Sequence, residues 1–316
     1  MWAYLVRDKK FLVSLSFLVI MMLLSIGNTI FYDGHIREVR MLMPEDGKVT
    51  AAPFPPSSEF LLGTDSSGKD LLQVVIEGAK WTIGAAFFIG VLRIIFGMIF
   101  GIVVGIYVRR GFKKIEAFFD SFSVLPLTLI AYFLLVNVLM FSSGEDAIPF
   151  YYRLFFQVGV VTCLAVPPLA FYIANEVRKI GTEEFVVAAK VLGAGRWEVF
   201  RRHVFPHLSS TLPIVFMQQF VQVLVLFLHL GILNLFFGGT IVASGAGDMS
   251  FYSVTNEWSG LIGGYFRSLS SHPWIPLTPI LCFTLTIMAS NMILASIQGA
   301  LEKRKVIRAQ QKGSCS

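Results

Sequence analysis

The sequence predicts an all-α integral membrane protein with six transmembrane helices and a charged cytoplasmic loop between the fourth and fifth. Three observations carry that prediction. Of 316 residues, 55% are hydrophobic and 15% charged, with mean hydropathy +0.70, whereas soluble domains are about 25% charged. Several uncharged runs reach the ~20 residues that a helix needs to cross the hydrocarbon core. Lipid offers no partner for an open backbone group, so such runs cross as helices.

The first span, 11–32, carries no charge. Arg7, Lys9 and Lys10 precede it as they would a secretory leader, but its apolar run exceeds a signal core of ~7–15 residues and no small-residue cleavage pattern closes it. The second, 81–108, is broken only by Arg93, and the third, 117–140, has Asp120 near its start. The fourth, 154–175, holds Pro167 and Pro168, which predict a kink. The fifth runs over 210–237 and the sixth over 277–300. Residues 1–80 thus read as tail, first helix and an outer segment with a Pro cluster (Pro53, Pro55, Pro56). Residues 81–300 are the core, with the charged loop at about 182–206, and 301–316 a basic tail. The outer loop 238–276 is rich in Gly and Ser.

Orientation follows from where the 26 Lys and Arg fall. The first tail holds Arg7, Lys9 and Lys10; the second-to-third loop Arg109, Arg110, Lys113 and Lys114. The fourth-to-fifth loop holds Arg178, Lys179, Lys190, Arg196, Arg201 and Arg202, and the last tail Lys303, Arg304, Lys305, Arg308 and Lys312. Both termini are predicted to be cytoplasmic. The net charge of +6 is then a topology signal, and nucleic acid is not implied. Cys163, Cys282 and Cys315 form neither a metal-ligand spacing nor a disulfide framework.

The charged loop is the most informative segment. Thr182 is placed as an N-cap, with Glu183 and Glu184 favourable in the first turn against the helix dipole. Residues 185–192 then form a short helix that Gly193 ends in the left-handed conformation. A second short helix covers 194–203, and Pro206 breaks the chain before the fifth span. Ala188 and Ala189 leave a low surface for another protein. The alternative is a basic amphipathic loop lying on anionic lipid.

This segment resembles the EAA loop of binding-protein-dependent ABC transporter permeases: Glu-Ala-Ala, three residues, Gly, nine residues, then Ile-x-Leu-Pro. Ala188, Ala189, Gly193 and Pro206 fall on that spacing; Val187 replaces the Glu, and His203 and Phe205 the Ile and Leu. The peptide-transporter branch often reads aromatic-Val-x-Ala-Ala and later Arg-His-x-x-Pro, matched by Phe185 and Val186 and by Arg202, His203 and Pro206. Leu62-Gly63-Thr64-Asp65-Ser66-Ser67-Gly68-Lys69-Asp70 resembles the Leu-Gly-Thr-Asp-x-x-Gly-Arg-Asp signature of the C-type subunit of oligopeptide and dipeptide permeases. Lys69 stands where Arg is usual, and Gln73 and Val74 depart from the Ser-Arg that often follows.

The resemblance implies a type I ABC importer permease fold and a subunit that moves peptides by alternating access. It implies a second, B-type permease, two cytoplasmic ATPase subunits and an extracellular substrate-binding protein as partners, all in a lipid membrane. Glu184, Phe185, Ala188, Ala189, Gly193 and Pro206 would dock the loop into the ATPase. No Gly-rich phosphate loop ending in Gly-Lys-Ser or Gly-Lys-Thr occurs here, so the chain is not read as an enzyme. It would bind no cofactor itself, ATP and Mg belonging to the partners. The alternatives are import of nickel or another small solute, and a membrane scaffold or sensor that has lost transport.

Polar residues within spans mark a candidate path. Gln218, Gln222 and His229 lie within about 40° of one another at about 100° per residue, and Thr211 joins them. Thr284, Asn291 and Gln298 repeat by seven in the sixth span. Such groups are costly against lipid. They face either a water-filled path or neighbouring helices, where a hydrogen bond is worth about 0.6 kcal/mol. Arg93 is a candidate for the path, or for pairing with an acid of the partner permease; Asp120 sits at another depth. Gly97, Gly101 and Gly105 predict a close helix contact.

Overall fold

Long apolar helices dominate the computed structural model, which describes residues 2–42, 50–108, 111–122, 126–142, 148–245 and 248–313. A single turn, α1 (Trp2–Leu5), precedes α2 (Lys9–Tyr32), which is capped by Asp8 accepting from Lys10 N. Strands β1 (Met41–Leu42) and β2 (Thr50–Ala51) pair antiparallel in the segment that follows. Then α3 (Leu71–Ala79), a π-helical turn (Lys80–Gly84) and α4 (Ala85–Tyr107) run on as one helix. The sequence places its start at 81 because Lys80 is charged. The structure starts it at Leu71, and Lys80 lies within it, paired with Glu77 and donating to Thr29 Oγ1 at 2.5 Å.

The third span departs most from expectation. Instead of one helix over 117–140, the chain forms α5 (Phe112–Phe122) and α6 (Leu127–Leu139). Pro126 sits at the cap of α6; a proline excludes helical conformation from the residue before it, so a helix starts there rather than passes through. At 1.5 Å per residue α6 covers about 20 Å of a core ~30 Å thick. Among the described residues five helices are long and apolar enough to cross (Lys9–Tyr32, Leu71–Tyr107, Phe150–Gly181, Trp197–Ile232 and Trp274–Lys303), and Leu127–Leu139 is a shorter apolar helix.

Strand β3 (Met140–Ser142) leads towards α7 (Phe150–Gly181), which is continuous through Pro167 and Pro168. Next come α8 (Glu184–Val191), α9 (Arg196–Val199), a π turn (Phe200–Val204) and α10 (Phe205–Ile232). Pro206 therefore does not break the chain. It occupies the first turn of α10, where its missing N–H is tolerated, and the wide π turn before it absorbs the ring. The fifth span ends at Ile232 rather than 237, and Leu235, Phe236 and Phe237 turn back into the core.

The Gly- and Ser-rich loop is ordered rather than irregular. β4 (Thr240–Gly245) and β5 (Asp248–Ser253) form a hairpin in register Thr240↔Ser253, and β3 joins it parallel, Met140↔Thr240. Helix α11 (Trp258–Tyr265), a 3-10 turn (Phe266–Leu269) and α12 (Trp274–Gly313) complete the chain. Small sheets thus modify the all-α expectation at one end of a helical bundle. Trp258 fastens that end: it is fully buried, its Nε1 donates to Val75 O at 2.8 Å, and its N–H to Thr82 Oγ1 at 2.9 Å.

The centre of the bundle is the pairing of α4 with α7, and the predicted glycine stripe makes it. An added Cβ at Gly97 would meet Leu169 Cδ2 at 2.7 Å, at Gly101 Ala170 O at 2.7 Å, and at Gly105 Ala174 O at 3.1 Å. No side chain larger than hydrogen lets the two backbones approach so closely. The helices run in opposite directions: Trp81 meets Phe150 at one end, with ring centroids 5.7 Å apart, and Gly105 meets Val177 at the other. Among the topological cations, Lys48, Arg109 and Arg110 lie outside the described residues. So do Cys315 and the side chains of Asp120, Arg196, Arg304, Lys305, Arg308 and Lys312.

Candidate functional site

The α8 segment sits where α7 ends, on the far side of the bundle from the sheets. Its N-cap is Glu183 and not Thr182, whose hydroxyl instead donates back to Lys179 O at 2.8 Å and closes α7. Thr182 has already turned into the αR region to finish the preceding helix, so the extended cap conformation falls one residue later. Gly193, at φ +89°, ends α8 as a Schellman motif: its N–H donates to Lys190 O and that of Ala194 to Ala189 O, each at 3.1 Å. Val186 is fully buried among Val177, Val199, Phe200 and Val204, which anchors α8 to α7, α9 and α10.

The opposite face of α8 is bare. Glu184, Val187 and Ala188 are exposed, Ala189 is half-buried, and Val191 and Leu192 are 80% and 88% exposed. Two large aliphatic residues at the tip of a short, capped helix form an apolar knob. Phe185 is half-exposed and stacked on His207, centroids 5.3 Å apart, which braces α8 against α10. Pro206 is exposed on the neighbouring helix. The loop's spacing marks the alanines but not Val191 and Leu192, whose signal in the sequence is a pair of aliphatics just before a terminating Gly.

At the remote end, residues 62–70 form a clip. Gly63 and Gly68 take φ of +78° and +87°, and a Cβ at Gly68 would overlap Val39 O. Asp65 Oδ1 accepts from Ser67 N and Lys69 N, both at 2.9 Å, while its Oδ2 accepts from Tyr265 Oη at 2.9 Å. Burial, and then the Asp65 charge beside it, push the Tyr265 phenol well above its ordinary range. Thr64 Oγ1 accepts from Phe54 N at 2.8 Å, and Asp70 Oδ1 caps α3 through Leu72 N at 2.9 Å. The two departures have local uses: Gln73 Oε1 accepts from Arg37 N at 2.6 Å, and Val74 is fully buried. The motif joins the segment after α2 to α11.

Also at this end, Glu257 is fully buried between β5 and α11, accepting from Phe237 N at 3.2 Å and from Ser259 N and Oγ at 2.7 Å. Burial raises its carboxyl above the ordinary range, the hydrogen bonds opposing.

The candidate path residues separate into three places. Gln218, Gln222 and His229 are exposed on one face of α10, with His229 Nδ1 3.3 Å from Thr128 Oγ1 of α6. Asn291 and Thr284 line a different surface, a groove of about 930 Å³ shared with Tyr4, Asp8, Lys10 and Ser296. Arg93 opens onto neither. It is 1% exposed, with Nε and Nη2 donating to Val161 O at 3.3 and 2.8 Å and Nη1 to Gln219 Oε1 at 3.4 Å. Gln219, one residue and about 100° from Gln218, is the inward member of the pair and is not marked by the polar stripe in the sequence.

Comparison with known proteins agrees with this architecture. The family described as binding-protein-dependent transport system inner membrane component matches residues 97–307. Over 252 residues the chain is 25% identical to the dipeptide transport system permease protein DppC of Alkalihalophilus pseudofirmus, covering 79% of this chain and 73% of that protein. It is likewise 25% identical to the peptide transport system permease protein SapC of Haemophilus influenzae, covering 78% and 75%. The glutathione transport system permease protein GsiD of Pectobacterium atrosepticum is 21% identical over 254 residues, covering 79% and 74%. The chain belongs to the family of binding-protein-dependent transport system inner membrane components.

Proposed function

We propose that the chain is the C-type permease subunit of a peptide importer, passing substrate by alternating access beside a B-type permease. Two cytoplasmic ATPase subunits would supply hydrolysis and an extracellular binding protein would deliver substrate. Both termini and α8 then lie in the cytoplasm, and the clip, the sheets and α11 outside. The observation that carries this reading is the apolar knob of Val191 and Leu192, bare to solvent at 80% and 88% on a helix otherwise fixed by Val186 and Phe185. Surfaces of this kind mark a protein contact. The exposed stripe of Gln218, Gln222 and His229 supports a path or a seam with the second permease, since polar groups do not rest against lipid. We assign Arg93 to holding α4, α7 and α10 together, and leave the path to that stripe and Asn291.

The test is the pair Val191→Asp and Leu192→Asp in the complete transporter. Both positions are exposed, so the chain should reach the membrane at wild-type level while co-purification with the ATPase and peptide uptake are lost. Unchanged co-purification and uptake would remove the docking role.

A further inference from the structure

Among the described residues two arginines are buried, and Arg153 is left with unmet N–H groups. Arg93 and Arg153 are 1% and 5% exposed. Arg93 spends its donors on Val161 O and Gln219. Arg153 has no hydrogen-bond partner at Nε or Nη1, and among the described residues no acid is paired with it. The ring of Phe141 lies 4.2 Å from its guanidinium carbon; a ring face supports the charge but fills no in-plane N–H. Its place adds to the deficit, because Arg153 stands in the first turn of α7, where the helix dipole opposes a cation. Buried guanidinium groups in folded proteins are paired or fully hydrogen-bonded.

The surroundings are built to hold this side chain. Gly239, at φ +129°, lies directly over it, and a Cβ there would overlap Nη1. Gly238, at φ +80°, donates its N–H at 2.9 Å to Gln157 Oε1, one turn along α7 from Arg153. The arginine therefore sits beneath a two-glycine turn and beside strand β3, at the end of the bundle remote from α8. It is enclosed by its own chain rather than spread on a lateral helix face where a neighbouring subunit would reach it.

We propose that Arg153 receives the carboxylate of a peptide substrate as it enters this end of the bundle, when the Gly238–Gly239 turn lifts. Nε and Nη1 do not share an edge of the guanidinium, so a carboxylate takes a charge-assisted hydrogen bond from one or the other of them. The inference rests on the peptide-importer reading, and its test is arranged to separate the two. Uptake of a tripeptide with a free C-terminal carboxylate and of its C-terminal amide is measured for the complete transporter carrying wild type, Arg153→Gln or Arg153→Lys. Everything else in the complex is common, so its own preferences cancel in the variant-to-wild-type ratio for each peptide. Arg153→Gln should lower uptake of the free acid on the order of 10- to 100-fold and leave the amide unchanged. Arg153→Lys keeps the charge on a different donor geometry and should recover part of that loss, also selectively, and it serves alone if the Gln variant fails to accumulate. Equal loss of both peptides would make Arg153 a structural anchor and overturn the inference. Loss of the second permease on purification would put a protein carboxylate in the site and overturn it too, as would no change in either ratio. Each of those results leaves the peptide reading standing, whereas wild-type uptake of neither peptide overturns both.

Discussion

Replacing Gly101 with alanine measures how much of the bundle depends on the contact of α4 with α7. The added Cβ would stand 2.7 Å from Ala170 O, 2.8 Å from Ile173 Cβ and 2.9 Å from Ile173 Cγ2. Relaxed carbon contacts lie at about 3.5–4.0 Å, so the helices must part by on the order of 1 Å, and the blocking atoms include backbone that cannot rotate away. Overpacking of this kind costs about 1–3 kcal/mol, and removing a helical glycine returns about 0.5–1 kcal/mol. The net loss is centred on about 1 kcal/mol and spans roughly 0–2.5 kcal/mol. Gly97→Ala should cost less, because the atom it meets at 2.7 Å belongs to the flexible end of Leu169. Gly105→Ala, with its nearest contact at 3.1 Å, should cost least, and Gly27→Ala, with nothing within 4 Å, should stabilise. Unfolding of the purified chain in mixed SDS micelles, followed by Trp fluorescence, reads the series. If Gly101→Ala is as stable as wild type, or Gly105→Ala is the worse of the two, the close-contact argument is refuted.

Other perturbations follow from single interactions. Tyr265→Phe strips Asp65 Oδ2 of its donor and should cost about 1–2 kcal/mol, read as faster proteolysis within 33–70 and an unchanged half-life for the α8 loop. Gln219→Leu leaves Arg93 Nη1 without an acceptor and should cost about 1–3 kcal/mol; Gln218→Leu, exposed on the same helix, should leave unfolding in micelles unaltered. Glu257, with its carboxyl raised by burial, binds its proton more tightly folded than unfolded. Its contribution is therefore complete below the ordinary carboxylate value and is lost as pH rises through the raised one. Melts between about pH 4 and 8 should show that decline, and Glu257→Gln should flatten it.

The span-forming helices were legible because membrane crossing is a local property: about 20 apolar residues in sequence suffice to specify a helix in lipid. The same locality explains Gly193, whose positive φ closes α8 by bonds to Lys190 and Ala189, and the stripe of Gly97, Gly101 and Gly105. Local reading failed where a neighbour decides. Thr182 looked like a cap but finishes α7. Pro206 looked like a break but rides on a π turn. The third span looked continuous, yet α6 begins afresh at Pro126. The Gly- and Ser-rich loop holds a hairpin that β3, distant in sequence, extends to three strands.

By itself the sequence determined that this is a polytopic helical membrane protein with a charged loop after its fourth span, since hydropathy, glycine spacing and turn chemistry act over a few residues. Tertiary structure alone decided which face each polar group takes. One step of about 100° along α10 separates Gln219, hydrogen-bonded to a sealed Arg93, from Gln218 on the open face. It also decided that Arg153 would be buried with Nε and Nη1 unmet. Hydrogen-bond satisfaction depends on what several distant segments bring to one point, and no window of the chain contains that information.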